Sequence, residues 1–580
     1  WRKDGEWLST SWNEFAAQTH VAARALCALG LCEKDSIAIC SPNTPQILIT
    51  EFGAFENRLS AIPIYSASSQ AQFDFIVADG EAKVLFVGDS QQYPLAYNYW
   101  KKNPDQIVRI VIFKNNGFDL EPDDTVSILW DDFVRIGMEA GDDIRREVAR
   151  RREHGLPQDM ATLIYTSGTT GDPKGVVITH SNYDAAIDAH LRVLEGVSDR
   201  DLSMAFLPMS HILEKAWCFY CITKGIAIAI NYDPRVIQET IHSVHPNVMC
   251  CVPRFWEKVY AAVKEKIASM SWLSRTMVKR ALRVGKRRNL DYVRLGARPP
   301  KLLEMEYNFW DRRVFSQLKK AIGIPEPNLF PTAGAPLSDR ICEFFRSVGI
   351  EITIGYGLSE TTATVTFFRR TGYVIGTVGL PLPDVDVMIE PGTNEILVKG
   401  PTVTPGYYNN PKANEAAFTE DGYFRTGDSG YFTEEGALVL TERVKDLFKT
   451  SNGKYIAPQA IESRLGEDKY IEQVAVIGDN RKFVTAIIVP AVEAIKEYAQ
   501  RKKIQYRTLE ELLKNTQVRD LISRRIETLQ EGLASFEKIK KFTLLPNEFT
   551  MEAGELTNTL KIRRPVINRH YASEIEAMYA

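Results

Sequence analysis

The sequence contains no uninterrupted apolar run of about 18 residues, the length a membrane-spanning helix requires. Its nearest approach, 204–230, is broken by His211, Glu214, Lys215 and Lys224. It has no excess of either charge: 71 Lys and Arg against 74 Asp and Glu leave a net −3. That balance gives no reason to expect a nucleic-acid partner. Cysteine is sparse, with eight in 580 residues. Cys218 and Cys221 have Cys-x-x-Cys spacing, but no second such pair accompanies them, which favours reduced thiols in a cytoplasmic protein over a metal or redox site. There is no internal repeat, no low-complexity tract, and no Gly-Lys-Ser/Thr word of the kind that opens a P-loop helix.

What is present is the composition of a globular chain, 44% hydrophobic and 25% charged, long enough for several cores. Apolar residues recur at helical spacing over 11–30 and stop at Gly30; strands are expected at 37–40 and 61–65 with a helix between them. Strand–helix–strand is the unit of a parallel sheet. Further strands are expected at 84–87, 107–113, 226–230 and 248–252, and helices at 234–244 and 253–268. The charge run 142–154 reads as a solvated connecting helix. Ser181 is placed to cap a helix running to about residue 194.

One stretch organises the rest: Thr166-Ser167-Gly168-Thr169-Thr170-Gly171-Asp172-Pro173-Lys174-Gly175, between apolar runs 161–165 and 176–179. Glycines let backbone N–H groups approach a ligand closely. The hydroxyls add donors and Lys174 adds a point charge, a set suited to a polyphosphate. Downstream, Phe330 to Leu337 leaves a strand through Ala333, Gly334, Ala335 and Pro336. A second strand ends in Gly355-Tyr356-Gly357-Leu358-Ser359-Glu360, read as a loop with an exposed aromatic and a carboxylate suited to Mg²⁺. Asp428 closes Gly422 to Asp428 on what reads as a glycine-bounded turn.

Together these words resemble the motifs of the adenylate-forming superfamily, which includes acyl-CoA synthetases, peptide-synthetase adenylation domains and luciferase. The likeness covers most of the chain and is strongest to long-chain fatty acid–CoA ligases. It implies an α/β fold: a large N-terminal domain of several strand–helix subdomains (1–442), joined by a hinge to a small, mobile α+β C-terminal domain (443–580). It implies ATP, Mg²⁺ and coenzyme A as cofactors and a long-chain fatty acid as substrate.

Carried over residue by residue, the likeness makes Thr166, Ser167, Gly168, Thr169, Thr170, Gly171 and Lys174 the polyphosphate site. Gly334, Ala335, Pro336, Gly355, Tyr356, Gly357 and Ser359 would surround adenine, Asp428 would hold the ribose, and Arg443 would hold ribose or phosphate. Glu360 would bind Mg²⁺, and His211 in Leu207-Pro208-Met209-Ser210-His211 would lie between nucleotide and acyl group. Trp217 is a candidate tunnel residue, Lys445 the hinge, and Lys561 the catalytic lysine, preceded by Leu560 where many relatives have Gly.

Residues 269–301 interleave Trp272, Leu273, Met277, Val278 and Leu282 with Arg275, Lys279, Arg280, Arg283, Lys286, Arg287 and Arg288. Such a helix suits peripheral contact with the inner face of an anionic membrane, or packing on its own domain with a wet basic side. A fatty-acyl-AMP ligase serving a carrier protein, and a catalytically silent lipid-binding relative, are the alternative readings of the same motifs.

Overall fold

The computed structural model describes residues 1–3, 6–114, 117–166, 173–443, 448–451, 455–551, 553–556 and 562–580. Its first layer is a seven-stranded sheet in the spatial order Ser127–Leu129, Arg109–Ile112, Ala82–Val87, Ser36–Cys40, Ser60–Ile64, Met160–Thr166, Lys174–Thr179. All neighbours are parallel except the last pair. Ser36–Cys40 and Ser60–Ile64 are buried at every position, as strands covered on both faces are. The helices Trp12–Ala28, Pro45–Glu56 and Trp130–Met138 supply part of the cover, and their apolar residues join one core with the sheet.

A second sheet pairs Phe330–Thr332 in parallel with Ile352–Tyr356 and adds Thr366–Phe367 and Leu380–Pro381. The expected strand at 248–252 is reduced to single bridges, Val248 to Ser203 and Leu329, and Cys251 to Thr332. Pro253 ends it: proline has no N–H for a ladder, and it sits at the first turn of the next helix, Pro253–Ser269. A third sheet, Asp386–Ile389, Glu395–Lys399, Phe424–Phe432 and Leu438–Arg443, is antiparallel throughout. The small C-terminal unit wraps helices around Ile471–Ile477, Thr485–Pro490 and Lys541–Leu544, with a core of its own. Arg254 joins it to the large domain, donating to the Glu472 carboxylate at 2.6 Å and to the Glu472 carbonyl at 2.8 Å.

Two local expectations change. The His180–Val193 helix is capped by Thr179, not Ser181; the Thr179 hydroxyl accepts from the Asn182 N–H and Asn182 Oδ1 answers to Thr179, a reciprocal cap. The 142–154 helix is not wholly solvated: Arg151 is buried and donates to the Leu31 carbonyl at 2.8 Å. The cysteines are all free thiols, and Cys218 and Cys221 are buried on one helix, where burial pushes both thiols up.

One buried ion pair positions the later site. Lys215, on the helix Ile212–Lys224, donates to Glu51 on Pro45–Glu56, and both side chains are fully buried. Among the described residues the second Glu51 oxygen has no hydrogen-bond partner. Removing one member leaves an uncompensated buried charge, whereas replacing both with apolar groups does not. Lys215→Met should therefore cost about 3–5 kcal/mol, and Glu51→Leu added to it should recover most of that loss. Denaturant midpoints measure both; additive losses would contradict the pairing.

Candidate active site

In the antiparallel pairing of Met160–Thr166 with Lys174–Thr179, Thr166 stands directly opposite Lys174. The two ends of the predicted phosphate stretch, Thr166 and Lys174, are therefore fixed in register. Ser167, Gly168, Thr169, Thr170 and Gly171 lie outside the described residues. Along the outer edge of the hairpin the Val177 N–H donates to Gly406 O at 3.1 Å, and the Tyr408 N–H donates to Gly175 O at 2.8 Å.

That seam delivers Tyr407. The Lys174 ammonium sits 4.9 Å from the Tyr407 ring centroid, within cation–π range. The Tyr407 hydroxyl donates to Glu360 Oε1 at 2.9 Å. Burial, then the charge of Glu360, push the phenol well above its ordinary pKa, so it remains a donor. Glu360 lies in the 3₁₀ turn Ser359–Thr361, one residue into the turn that follows Ile352–Tyr356 by Gly357 and Leu358. Its carbonyl accepts from the Thr404 N–H at 2.8 Å. Gly357 permits this turn: a Cβ there would fall 2.0 Å from the Ala363 carbonyl oxygen.

Tyr356 is not the exposed loop aromatic expected from the sequence. It is the last residue of its strand, buried, and its hydroxyl donates to Asp428 Oδ2 at 2.7 Å. Asp428 likewise is not on a turn but inside the strand Phe424–Phe432, buried, next to a register shift between Ser429 and Gly430. Its pairing partner on the neighbouring strand is Arg443, whose side chain is not among the described atoms. Gly334, Ala335 and Pro336 form an exposed turn between Phe330–Thr332 and the helix Asp339–Ser347, with Gly334 at φ +94°, where glycine carries no Cβ penalty. Ser359 opens the turn that holds Glu360. Lys445 and Lys561 lie outside the described residues.

Behind Gly355 lies an apolar cavity of about 40 Å³. One wall is Tyr183, Ala186, Ile187 and His190; the facing wall is Leu213, Ala216, Trp217 and Tyr220. Each set runs i, i+3, i+4, i+7, one face of a helix. Trp217 donates its indole N–H to Ser203 Oγ at 2.9 Å and stacks on Tyr220. His190 Nδ1 is 2.7 Å from the Ala186 carbonyl, which only accepts, so the proton is on Nδ1; burial lowers its pKa and keeps the ring neutral. His211 does not line this cavity. It caps the Ile212–Lys224 helix, with Nδ1 accepting from the Leu213 N–H at 3.2 Å. Its loop is held by Asn43, which donates to Leu207 O at 2.7 Å and accepts from the Met209 N–H at 2.9 Å.

The hairpin feet, Glu360, Tyr356, Asp428 and the Gly355 side of the cavity are thus brought together on three sheets. Tyr407 and the His190 wall were missed as site residues by sequence reasoning. The wall was legible as matched helical stripes; Tyr407 was not, because its role comes from pairing across more than 200 residues of chain.

A model of the AMP-binding enzyme family matches residues 2–408, and one of the AMP-binding enzyme C-terminal domain matches 445–580. The chain belongs to the AMP-binding enzyme family, the adenylate-forming class that its motifs resembled. It is 32% identical over 585 residues to a long-chain-fatty-acid–CoA ligase, FadD15, of Mycobacterium bovis, covering 99% of this chain and 93% of that one. It is 28% identical over 600 residues to human long-chain-fatty-acid–CoA ligase 1, covering 99% and 82%. Among solved structures, the adenylation domain of a carboxylate reductase from Mycobacterium chelonae superposes with a TM-score of 0.72 at 21% identity, covering 99% of this chain and 85% of that one. The anthranilate CoA ligase AuaEII, in complex with anthranoyl-AMP, gives 0.70 at 17% identity, covering 97% and 92%. These two establish the fold.

Tyr407→Phe removes the donor to Glu360 and keeps the ring beneath Lys174. A hydrogen bond to a charged group is worth about 1.5–3 kcal/mol, so the Mg²⁺ concentration needed for half-maximal ATP binding should rise about tenfold or more. Tyr407→Leu should also weaken ATP binding without Mg²⁺. Titration calorimetry reads both, and unchanged values in both variants would show that Tyr407 only fills space.

Proposed function

We propose that the chain activates a long-chain fatty acid with ATP through an acyl-adenylate, then transfers the acyl group to coenzyme A, releasing AMP and pyrophosphate. The observation that supports this best is the contact of the apolar cavity with Gly355, on the strand that ends at Tyr356 and leads to Glu360. An acyl pocket and a nucleotide site thus share one wall. The FadD15 and human relatives are named long-chain-fatty-acid–CoA ligases.

A carboxylate is a poor electrophile, because its carbon is flanked by negative charge and its leaving group would be oxide. Attack of a carboxylate oxygen on the α-phosphorus of ATP forms a P–O bond and breaks the bond to pyrophosphate, leaving a carbon that a thiol can attack. Two anions must first be brought together, which requires donors and cations aimed at the developing charge. Backbone N–H groups and hydroxyls of 166–171, with Lys174 at the hairpin foot, would hold the β- and γ-phosphates. Asp428, Tyr356 and the exposed turn at Gly334, Ala335 and Pro336 would take the nucleoside, and Arg443 a ribose or phosphate oxygen.

The donor set fits Mg²⁺. Among the described residues no group of three His, Cys, Asp or Glu converges, and Mg²⁺ in nucleotide sites uses one or two carboxylates with substrate phosphates and water. Glu360, oriented by Tyr407, would hold it, and the ion would neutralise departing pyrophosphate. Lys561 would bridge the fatty-acid carboxylate and the α-phosphate. After adenylation its side chain would stand in the way of the incoming thiol, so the small domain, bounded at 442/443, would turn about Lys445 and withdraw it. That turn must break the Arg254–Glu472 contact.

At about 40 Å³ the cavity is sized for a few waters, so a long acyl chain enters by parting the two helical walls. An acid of this kind resides in bilayers, and peripheral contact of 269–301 with an anionic membrane belongs to the same reading. Hand-over to a carrier protein in place of coenzyme A is the second reading, since one superposed fold is the adenylation domain of a carboxylate reductase.

Lys561→Ala should slow ATP–pyrophosphate exchange with fatty acid by about 100- to 1,000-fold, the usual loss for one transition-state charge partner. Thioester formation from supplied acyl-AMP and coenzyme A should remain. Rapid-quench assays of the two half-reactions separate them, and equal loss of both would refute the role.

A further inference from the structure

The strongest unassigned feature lies on the opposite character of surface from the active site: bare apolar side chains set in positive charge. On the helix Trp272–Lys286 the buried residues are Ala281, Val284 and Gly285. Its apolar residues therefore divide: the C-terminal half packs on its own domain, while Trp272 is 73% exposed and Leu273 63%. The helix Lys301–Trp310 repeats this arrangement. Leu303, Tyr307 and Trp310 are buried, and on the other side Leu302 is 76% exposed, Met305 61% and Phe309 50%. The two helices lie side by side, tied by Arg280 to Glu306 at 3.1 Å and by the Arg280 guanidinium 6.0 Å from the Trp310 ring.

Charge on this surface is one-sided. Residues 269–315 carry twelve Lys and Arg against four Asp and Glu, in a chain whose net charge is −3. The acids are largely spent inside the fold: Glu304 pairs with Arg288, Glu306 with Arg280 and Asp311 with Lys319. Arg275, Lys279, Arg283, Lys301, Arg312 and Arg313 make no ion pair among the described residues.

We infer that these two helices form one docking face for an anionic lipid bilayer, in which Trp272, Leu273, Leu302, Met305 and Phe309 enter the headgroup region and the surrounding Lys and Arg meet lipid phosphates. This rests on the fatty-acid reading above and extends it from one basic helix to a two-helix platform. Interfacial helices use this combination of apolar depth and cationic rim. A second copy of the chain is a poor occupant, because two such faces repel. A nucleic acid would satisfy the charges but not Leu302 and Met305, since its backbone presents phosphates to a protein. A fatty acid delivered from the bilayer would then be captured without crossing water.

The test uses the full chain with vesicles of phosphatidylcholine, with and without phosphatidylglycerol, read by co-sedimentation and tryptophan emission. The parent should bind the anionic vesicles, with a blue shift that Trp272→Phe removes. Replacing Arg275, Lys279 and Arg283 together by Gln should weaken partitioning roughly 100-fold at low salt, at the usual contribution per basic residue. Replacing Leu302, Met305 and Phe309 together by Gln should abolish the binding that survives high salt. Both triple variants should keep parental pyrophosphate release with albumin-bound acid, which also shows that they fold. Binding unchanged in both triples, duplex DNA bound as tightly as anionic vesicles, or self-association in place of vesicle binding would each overturn the proposal. Failure of the parent to release pyrophosphate would instead count against the ligase reading and leave the vesicle result standing.

Discussion

A short backbone seam holds the active site together. Residues 404–408 run along the outer edge of Lys174–Thr179, joined by the Val177–Gly406 and Tyr408–Gly175 hydrogen bonds. It ties the Lys174–Thr179 strand of the first sheet to the Glu360 turn that follows the second, through the Thr404 N–H to the Glu360 carbonyl. With it, one tyrosine touches both the lysine at the foot of the hairpin and the carboxylate across from it. Backbone pairing suits this duty, because it fixes register independently of side-chain rotamers and a one-residue slip would turn Tyr407 to the opposite face.

The rest of the site is built outward from that joint. Tyr356 and Asp428 link the second and third sheets by a buried hydrogen bond, so the proposed nucleoside end would be set by sheet-to-sheet packing and not by a flexible loop. The proposed acyl end would depend on the helix Ile212–Lys224, pinned to the first layer by Lys215 and Glu51 while its other face lines the cavity. One helix thus carries the His211 cap, the buried ion pair and the Trp217 wall, so polar and apolar ends of a substrate would be read against the same rigid element.

Much of this was legible in the sequence, for local reasons. The parallel strands of the first layer announced themselves as short apolar runs separated by helical periodicity, and residues 36–40 and 60–64 fell within one residue of expectation. The motif words fall on the Thr166 and Lys174 strand ends, the Glu360 turn and the Asp428 strand. What failed was environment. Tyr356 and Asp428 were read as loop residues because glycines flank them, yet both are strand residues buried against each other. Glycine marks a place where backbone comes close, and here it is the approach of Gly357 to Ala363 that requires it. The basic helix after 269 was read as either packed or membrane-facing; it is packed at one end and bare at the other, a division that composition cannot express.

The most direct test of the shared nucleotide and acyl wall is a crystal structure with a non-hydrolysable long-chain acyl-adenylate analogue. The ribose hydroxyls should lie within hydrogen-bond distance of Asp428, and the acyl chain should pass Gly355 and part Ala186 and His190 from Ala216 and Trp217. An analogue bound with Asp428 untouched, or with its chain directed away from those two helices, would contradict the assignment.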